Sequence, residues 1–192
     1  MNKKFVLVLA AYALLAILFY YTQTSNVITG IYRGAGISGM TFLAVSLLIT
    51  PLAIFFKPLA KHVMLRIESG VFGFLLIVVH AIVLFVYTFK FDITLHFTMP
   101  VLLAATIALT IYAVMTATGG AENMKKLGFK TWKLVHRFGY LAFLLAVYHF
   151  WSKYPAAITE PFGIIMLGVV AFTIIGQVAG AIKKITTKTG AV

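Results

Sequence analysis

The 192-residue sequence has no cysteine, only four acidic residues and no long polar segment. The first absence excludes disulfides, iron–sulfur ligation and thiol chemistry. Charged residues make up 10% of the chain, against about 25% in an ordinary soluble domain. No stretch is left to fold as a nucleotide-binding domain. The shortage of carboxylates also weighs against a proton or metal-ion transporter, since Glu68 falls close to a helix end. The formal charge of +12 has the sign expected of a nucleic-acid binder. Its distribution does not, because the lysines punctuate the ends of apolar segments and form no single basic face.

What the chain does have is hydrophobic length: 62% of its residues are apolar. Six apolar segments predict an all-α, integral membrane six-helix bundle, one domain over residues 1–192. The first segment, residues 5–22, follows a short basic lead. It is longer than a signal-peptide core and no small-residue cleavage pattern follows it, so a retained helix is expected. Residues 23–38 read as a polar, glycine-containing loop. The second helix is expected over 39–57, with a kink or an end near Thr50 because Pro51 removes a backbone donor. A basic connection, 58–66, leads to a third helix over 67–90. After a loop at 91–99, Pro100 suits the first turn of the fourth helix, which should end near Gly119-Gly120. A connection at 119–131 precedes the fifth helix, 131–154. The sixth starts at Pro161 and should end at Lys183-Lys184, before a polar tail.

Basic residues fall at alternate ends of these segments. Thirteen of the 16 gather on one side: Lys3, Lys4, Lys57, Lys61, Arg66, Lys125, Lys126, Lys130, Lys133, Arg137, Lys183, Lys184 and Lys188. Arg33, Lys90 and Lys153 fall on the other. The positive-inside rule then places both termini in the cytoplasm, and a multi-pass chain in the inner (plasma) membrane is expected.

Ionisable groups inside a membrane are costly and mark function, and the histidines are the candidates. The fifth segment, TWKLVHRFGYLAFLLAVYHFWSKY, carries His136 and His149, about 20 Å apart along its axis. His80 lies deep in the third segment. Measured from the cytoplasmic ends, His80 is about 21 Å deep, His149 about 27 Å and His136 about 7 Å. His80 and His149 therefore pair by depth, and two imidazoles facing each other across a lipid-embedded bundle suit haem iron. Gly73 and Ala142, each seven residues before its histidine, lie within about 20° of it on the helix wheel. They leave room for a flat macrocycle, or simply for close helix packing. His136 is rotated about 140° from His149. It is open to ligating a second haem, contacting a propionate or cofactor phosphate, or reaching the headgroups. Arg66 is placed to neutralise such a propionate or phosphate, or to anchor the helix. His62 and His96 read as loop residues. Trp132, Trp151, Tyr148 and Tyr154 read as interfacial belt and lipid-facing packing.

With these features the sequence resembles the ferric-reductase-like transmembrane family, and within it the MsrQ-type haem subunits that serve periplasmic methionine sulfoxide reductases. The likeness lies in GMTFLAVSLLITPLAIFFK (39–57), RIESGVFGFLLIVVH (66–80) and KTWKLVHRFGYLAFLLAVYHFW (130–151), and covers about 39–152. It implies b-type haem on His80 and His149, with His136 a further ligand or cofactor contact. It admits one or two haems, and FMN besides. Larger relatives stack two haems using two histidines on each of two helices; here Arg66 stands at the cytoplasm-side position of the third helix. The resemblance further implies electron transfer across the membrane. The donor would be a separate cytoplasmic flavin/NAD(P)H reductase or a quinol, since the chain stops soon after its last helix. The acceptor would be a periplasmic redox protein, such as methionine sulfoxide reductase. A ferric or cupric metalloreductase acting on a metal chelate is the rival within this class, and the ion transporter is the rival outside it.

Overall fold

A computed structural model describes residues 3–62 and 64–189. The described residues form helices joined by short turns, with no strand among them: α1 (Lys3–Thr24), α2 (Val27–Phe55), α3 (Leu65–Val83, continued by a π turn over Leu84–Thr88), α4 (Leu95–Thr98), α5 (Pro100–Ala117), α6 (Ala121–Leu127), α7 (Phe129–Lys153) and α8 (Pro161–Thr189), with 3₁₀ turns at Lys57–His62 and Pro155–Thr159. Five helical spans are long and apolar enough to cross a membrane: α1, α2, α3 with its π turn, α5 and α8. The protein is accordingly a multi-pass, membrane-embedded helical bundle. At 25 residues α7 is long enough, but lysine, arginine and histidine at its ends make it less apolar than these five. Residues 1–2 of the basic lead, residue 63 of the 58–66 connection and residues 190–192 of the tail lie outside the described residues.

The main departure from expectation is at residues 27–38, which are helix and not loop. Asn26 caps the new start, its side chain accepting from the Thr29 amide at 3.1 Å. The glycines that suggested a loop are contact points. A Cβ at Gly34 would lie 2.5 Å from Ile17 Cα, and one at Gly30 would lie 2.9 Å from Tyr21 Cβ. Their absence lets α1 lie against α2 at backbone distance, the small-residue packing typical of membrane helices. Nor does the helix end near Thr50; it runs on to Phe55. Pro51 is buried, with Gly176 and Gly180 of α8 facing it. At 29 residues, α2 is about 43 Å long, more than the roughly 30 Å of hydrocarbon it has to cross. Likewise α8 runs beyond Lys183-Lys184 to Thr189, because no glycine or proline interrupts the stretch.

Helix α2 is the hub, packing against α1, α3 and α8, while α5 and α7 pair with each other. Its buried residues Ile37, Met40, Ala44 and Leu47 meet Tyr20, Phe143, Met166 and Val170. Polar latches fix the register. Ser69 Oγ donates to the Phe42 carbonyl at 2.7 Å and Ser46 Oγ to the Arg66 carbonyl at 2.8 Å, tying α3 to α2. Thr173 Oγ1 donates to the Ala44 carbonyl at 3.0 Å, Gln177 Nε2 to Leu47 at 2.6 Å and Lys183 Nζ to Ile54 at 3.1 Å, tying α8 to α2. Lipid tails offer no hydrophobic gain for helix association, so close packing and such bonds carry it. Large side chains such as Leu7, Leu14, Phe172 and Ile175 face outward, as lipid contact requires.

Candidate functional site

Between α2, α3, α5 and α7 lies a cavity of about 400 Å³. Its walls are apolar, formed by residues such as Met40, Leu43, Ile77, Ala108 and Ala146, and His80 and His149 both line it. Toward one end of the bundle the lining turns polar, with Arg33, Lys153, Tyr154, Thr88 and His96.

The two imidazoles stand with ring centroids 6.4 Å apart and planes at 81°. Two imidazoles bound end-on to one metal, with metal–nitrogen bonds of about 2.0 Å, have centroids roughly 6 Å apart. Each plane contains the metal–nitrogen axis, so any twist between them, including a perpendicular one, is compatible with shared ligation. The ring tautomers follow from the backbone. His80 Nδ1 lies 2.7 Å from the Tyr32 carbonyl oxygen, and His149 Nδ1 lies 3.1 Å from that of Val101. A carbonyl can only accept, so each Nδ1 carries the proton and donates it. Each Nε2 keeps its lone pair. A ligating histidine is ordinarily held by this kind of outer hydrogen bond.

Local sequence makes the arrangement possible. Tyr32 and Gly36 are one helical turn apart on α2, and a Cβ at Gly36 would sit 2.6 Å from His80 Nδ1. Only glycine there admits the ring to the Tyr32 carbonyl. Val101 lies in the first turn of α5, beside Pro100. The π turn at Leu84–Thr88 begins four residues after His80 and contributes Leu84 and Thr88 to the wall.

The other expected site residues lie elsewhere. Gly73 is at the α2–α3 contact, where a Cβ would lie 2.9 Å from the Gly39 carbonyl oxygen. Ala142 is fully buried beside Leu43, Ala108 and Tyr112. Both are small where helices touch, and neither lines the cavity. His136 stacks on Trp132, centroids 4.0 Å apart, with Nδ1 3.0 Å from the Trp132 carbonyl oxygen. Arg66 donates from Nη1 to Thr50 Oγ1 at 3.2 Å, bracing α3 on α2. Two residues read otherwise from the sequence belong to the cavity wall. Tyr154, taken for interfacial belt, is one, with Arg33 4.9 Å above its ring. His96, taken for a loop histidine, is the other, and its ring meets Phe85 and Phe89. Both follow from how the chain turns at the ends of α3 and α7, which no spacing in the sequence encodes.

Among the described residues no group of three or more histidine, cysteine or acidic side chains could hold a metal ion by itself. The donor set is the His80–His149 pair, a set that suits a metal already held in a macrocycle. An apolar chamber lined by two imidazoles 6.4 Å apart between centroids, with Arg33 and Lys153 on its wall, fits b-type haem, whose body is apolar and whose edge bears carboxylates. No family model matches the chain, and no curated protein does.

Proposed function

We propose that the protein is a haem b membrane subunit that carries single electrons across the inner membrane. The observation that carries the reading is the pair His80 and His149, ring centroids 6.4 Å apart on two helices, each proton-donating through Nδ1 to a main-chain carbonyl. Bound there, haem would supply reversible one-electron chemistry. The chain's own part is to hold the iron through two neutral imidazoles, exclude water with the apolar wall, and offer Arg33 and Lys153 to the carboxylates.

In this reading α7 is the sixth membrane span. Its charged ends lie at the interfaces, and both termini face the cytoplasm by the distribution of lysine and arginine. The site then lies toward the outer face. One haem is the stoichiometry we favour, because His136 stacks on Trp132 on its own helix. His136 and Arg66 remain candidates for contact with a cytoplasm-side donor or a cofactor phosphate such as that of FMN. The likeness to MsrQ-type subunits of the ferric-reductase-like family supports a separate reductase or quinol as donor and a periplasmic redox protein as acceptor.

Purification and a reduced-minus-oxidised optical spectrum test the proposal. The expected result is a b-type spectrum with one haem per chain by the pyridine-haem assay, lost in His80→Ala and in His149→Ala. A colourless wild-type protein, or intact bands in both variants, overturns it.

A further inference from the structure

Beside the cavity mouth is a second cluster that haem binding does not use. Tyr20 comes from the end of α1 and Tyr154 from the end of α7. Glu160 sits immediately before α8. The tyrosine rings meet edge to face with centroids 6.3 Å apart, and both phenols interact electrostatically with the Glu160 carboxylate. Tyr20 is fully buried. The hydroxyls of Tyr20 and Tyr154 and Oε2 of Glu160 are shielded from solvent, and the three groups lie within hydrogen-bonding reach of one another. Buried polar atoms are normally satisfied, and here a shielded carboxylate has two phenols as its neighbours. Gly163 lies three residues beyond Glu160. A Cβ there would run into the Ala157 carbonyl, so glycine lets the 155–159 turn fold onto the first turn of α8. Burial and the neighbouring carboxylate push the Tyr154 hydroxyl up to about 12, so this phenol stays protonated and can donate to Glu160.

Tyr154 joins this cluster to the cavity, whose wall it forms. The other charged group facing the carboxylate is Arg33 of α2, stacked on the Tyr154 ring; Lys153 and His96 lie further round the cavity wall. We propose that Glu160, with Tyr20 and Tyr154, is a proton-binding site coupled to the redox state of the cavity. When an external reductant delivers one electron to the cavity, the added negative charge raises the proton affinity of the carboxylate. Glu160 then takes one proton from water, so that one electron and one proton enter together. Oxidation releases both. This rests on the proposed haem site.

The sign is fixed: proton uptake costs more at higher pH, so the midpoint potential falls as pH rises. The limit is about 59 mV per unit for one proton per electron, the value of a tenfold change in a one-electron equilibrium. Potentiometric titration of the purified holoprotein between about pH 5 and 8, with dithionite as reductant, reads this slope. Redox-difference infrared spectra read carboxyl protonation directly. The expected result is a pH-dependent midpoint and a carboxyl band gained on reduction in the wild type. In Glu160→Gln the slope flattens and the band is absent, while the haem content is unchanged. Tyr154→Phe, which keeps the ring and removes the hydroxyl, should shift the band. A haem-bearing protein with a flat midpoint, or a slope retained in Glu160→Gln, overturns this inference alone. A protein without haem overturns the haem reading and this inference with it.

Discussion

At the scale of single residues, the site depends as much on a missing side chain as on the two histidines. Gly36 leaves the space in which the His80 ring reaches the Tyr32 carbonyl, 2.7 Å away. Gly36→Ala puts a carbon 2.6 Å from Nδ1 and forces the ring off that bond. Losing such an outer-shell contact ordinarily weakens metal-site affinity by about 10–100-fold. The expected outcome is reduced haem occupancy and an altered ligand-field spectrum by electron paramagnetic resonance. Helix content by circular dichroism should stay at the wild-type value. An unchanged haem affinity would show that the bond to Tyr32 does not position the ring. The pairing of His80 with His149 was legible from depth alone, because helix rise converts residue number into height. Gly36 was not, since its importance lies in what stands opposite it across two helices.

At the scale of elements, the sequence located most helices to within a few residues but missed the role of α2. Glycine has two uses, turning a chain and letting helices touch, and over residues 27–38 the sequence suggests the first. Asn26 before Val27 is a cap signal, but the polar run around it favoured a loop. In the fold Gly34 abuts Ile17 Cα at 2.5 Å, so any added carbon must push α1 and α2 apart. Overpacking of this kind costs about 1–3 kcal/mol. Gly34→Ala should therefore melt at a lower temperature than wild type in detergent, with a larger drop for Gly34→Leu. Equal melting temperatures would show that α1 is loosely held. The α8 latches make a parallel case. Thr173→Val removes, at nearly constant volume, the hydroxyl whose proton is shared between the Ala44 carbonyl of α2 and the Val169 carbonyl of its own helix. Interhelical bonds in membranes average about 0.6 kcal/mol, so a small but measurable loss in the same melting assay is expected.

At the scale of the whole molecule, orientation is the property that the proposed function requires and that the charge distribution predicts. The chain has no cysteine, so single-cysteine variants need no background removed. Lys126→Cys on α6 and Ile158→Cys in the 155–159 turn both occupy exposed positions, at opposite ends of the bundle. In intact cells an impermeant maleimide should label position 158 and spare position 126; permeabilisation should expose both. The reverse pattern would invert the topology and place the cavity mouth toward the cytoplasm.

The cavity has a mechanical side. Among the described residues α3 and α7 make little direct backbone contact, although the centroids of their histidine rings are 6.4 Å apart. One half of the bundle is α1, α3 and α8 gathered on α2; the other is the α5–α7 couple. A guest gripped by both imidazoles would rivet these halves together, and its binding would add to folding stability as the logarithm of its concentration over Kd. The emptied protein should then come apart along that seam first, with hydrogen exchange rising in α5 and α7 before it rises in α2.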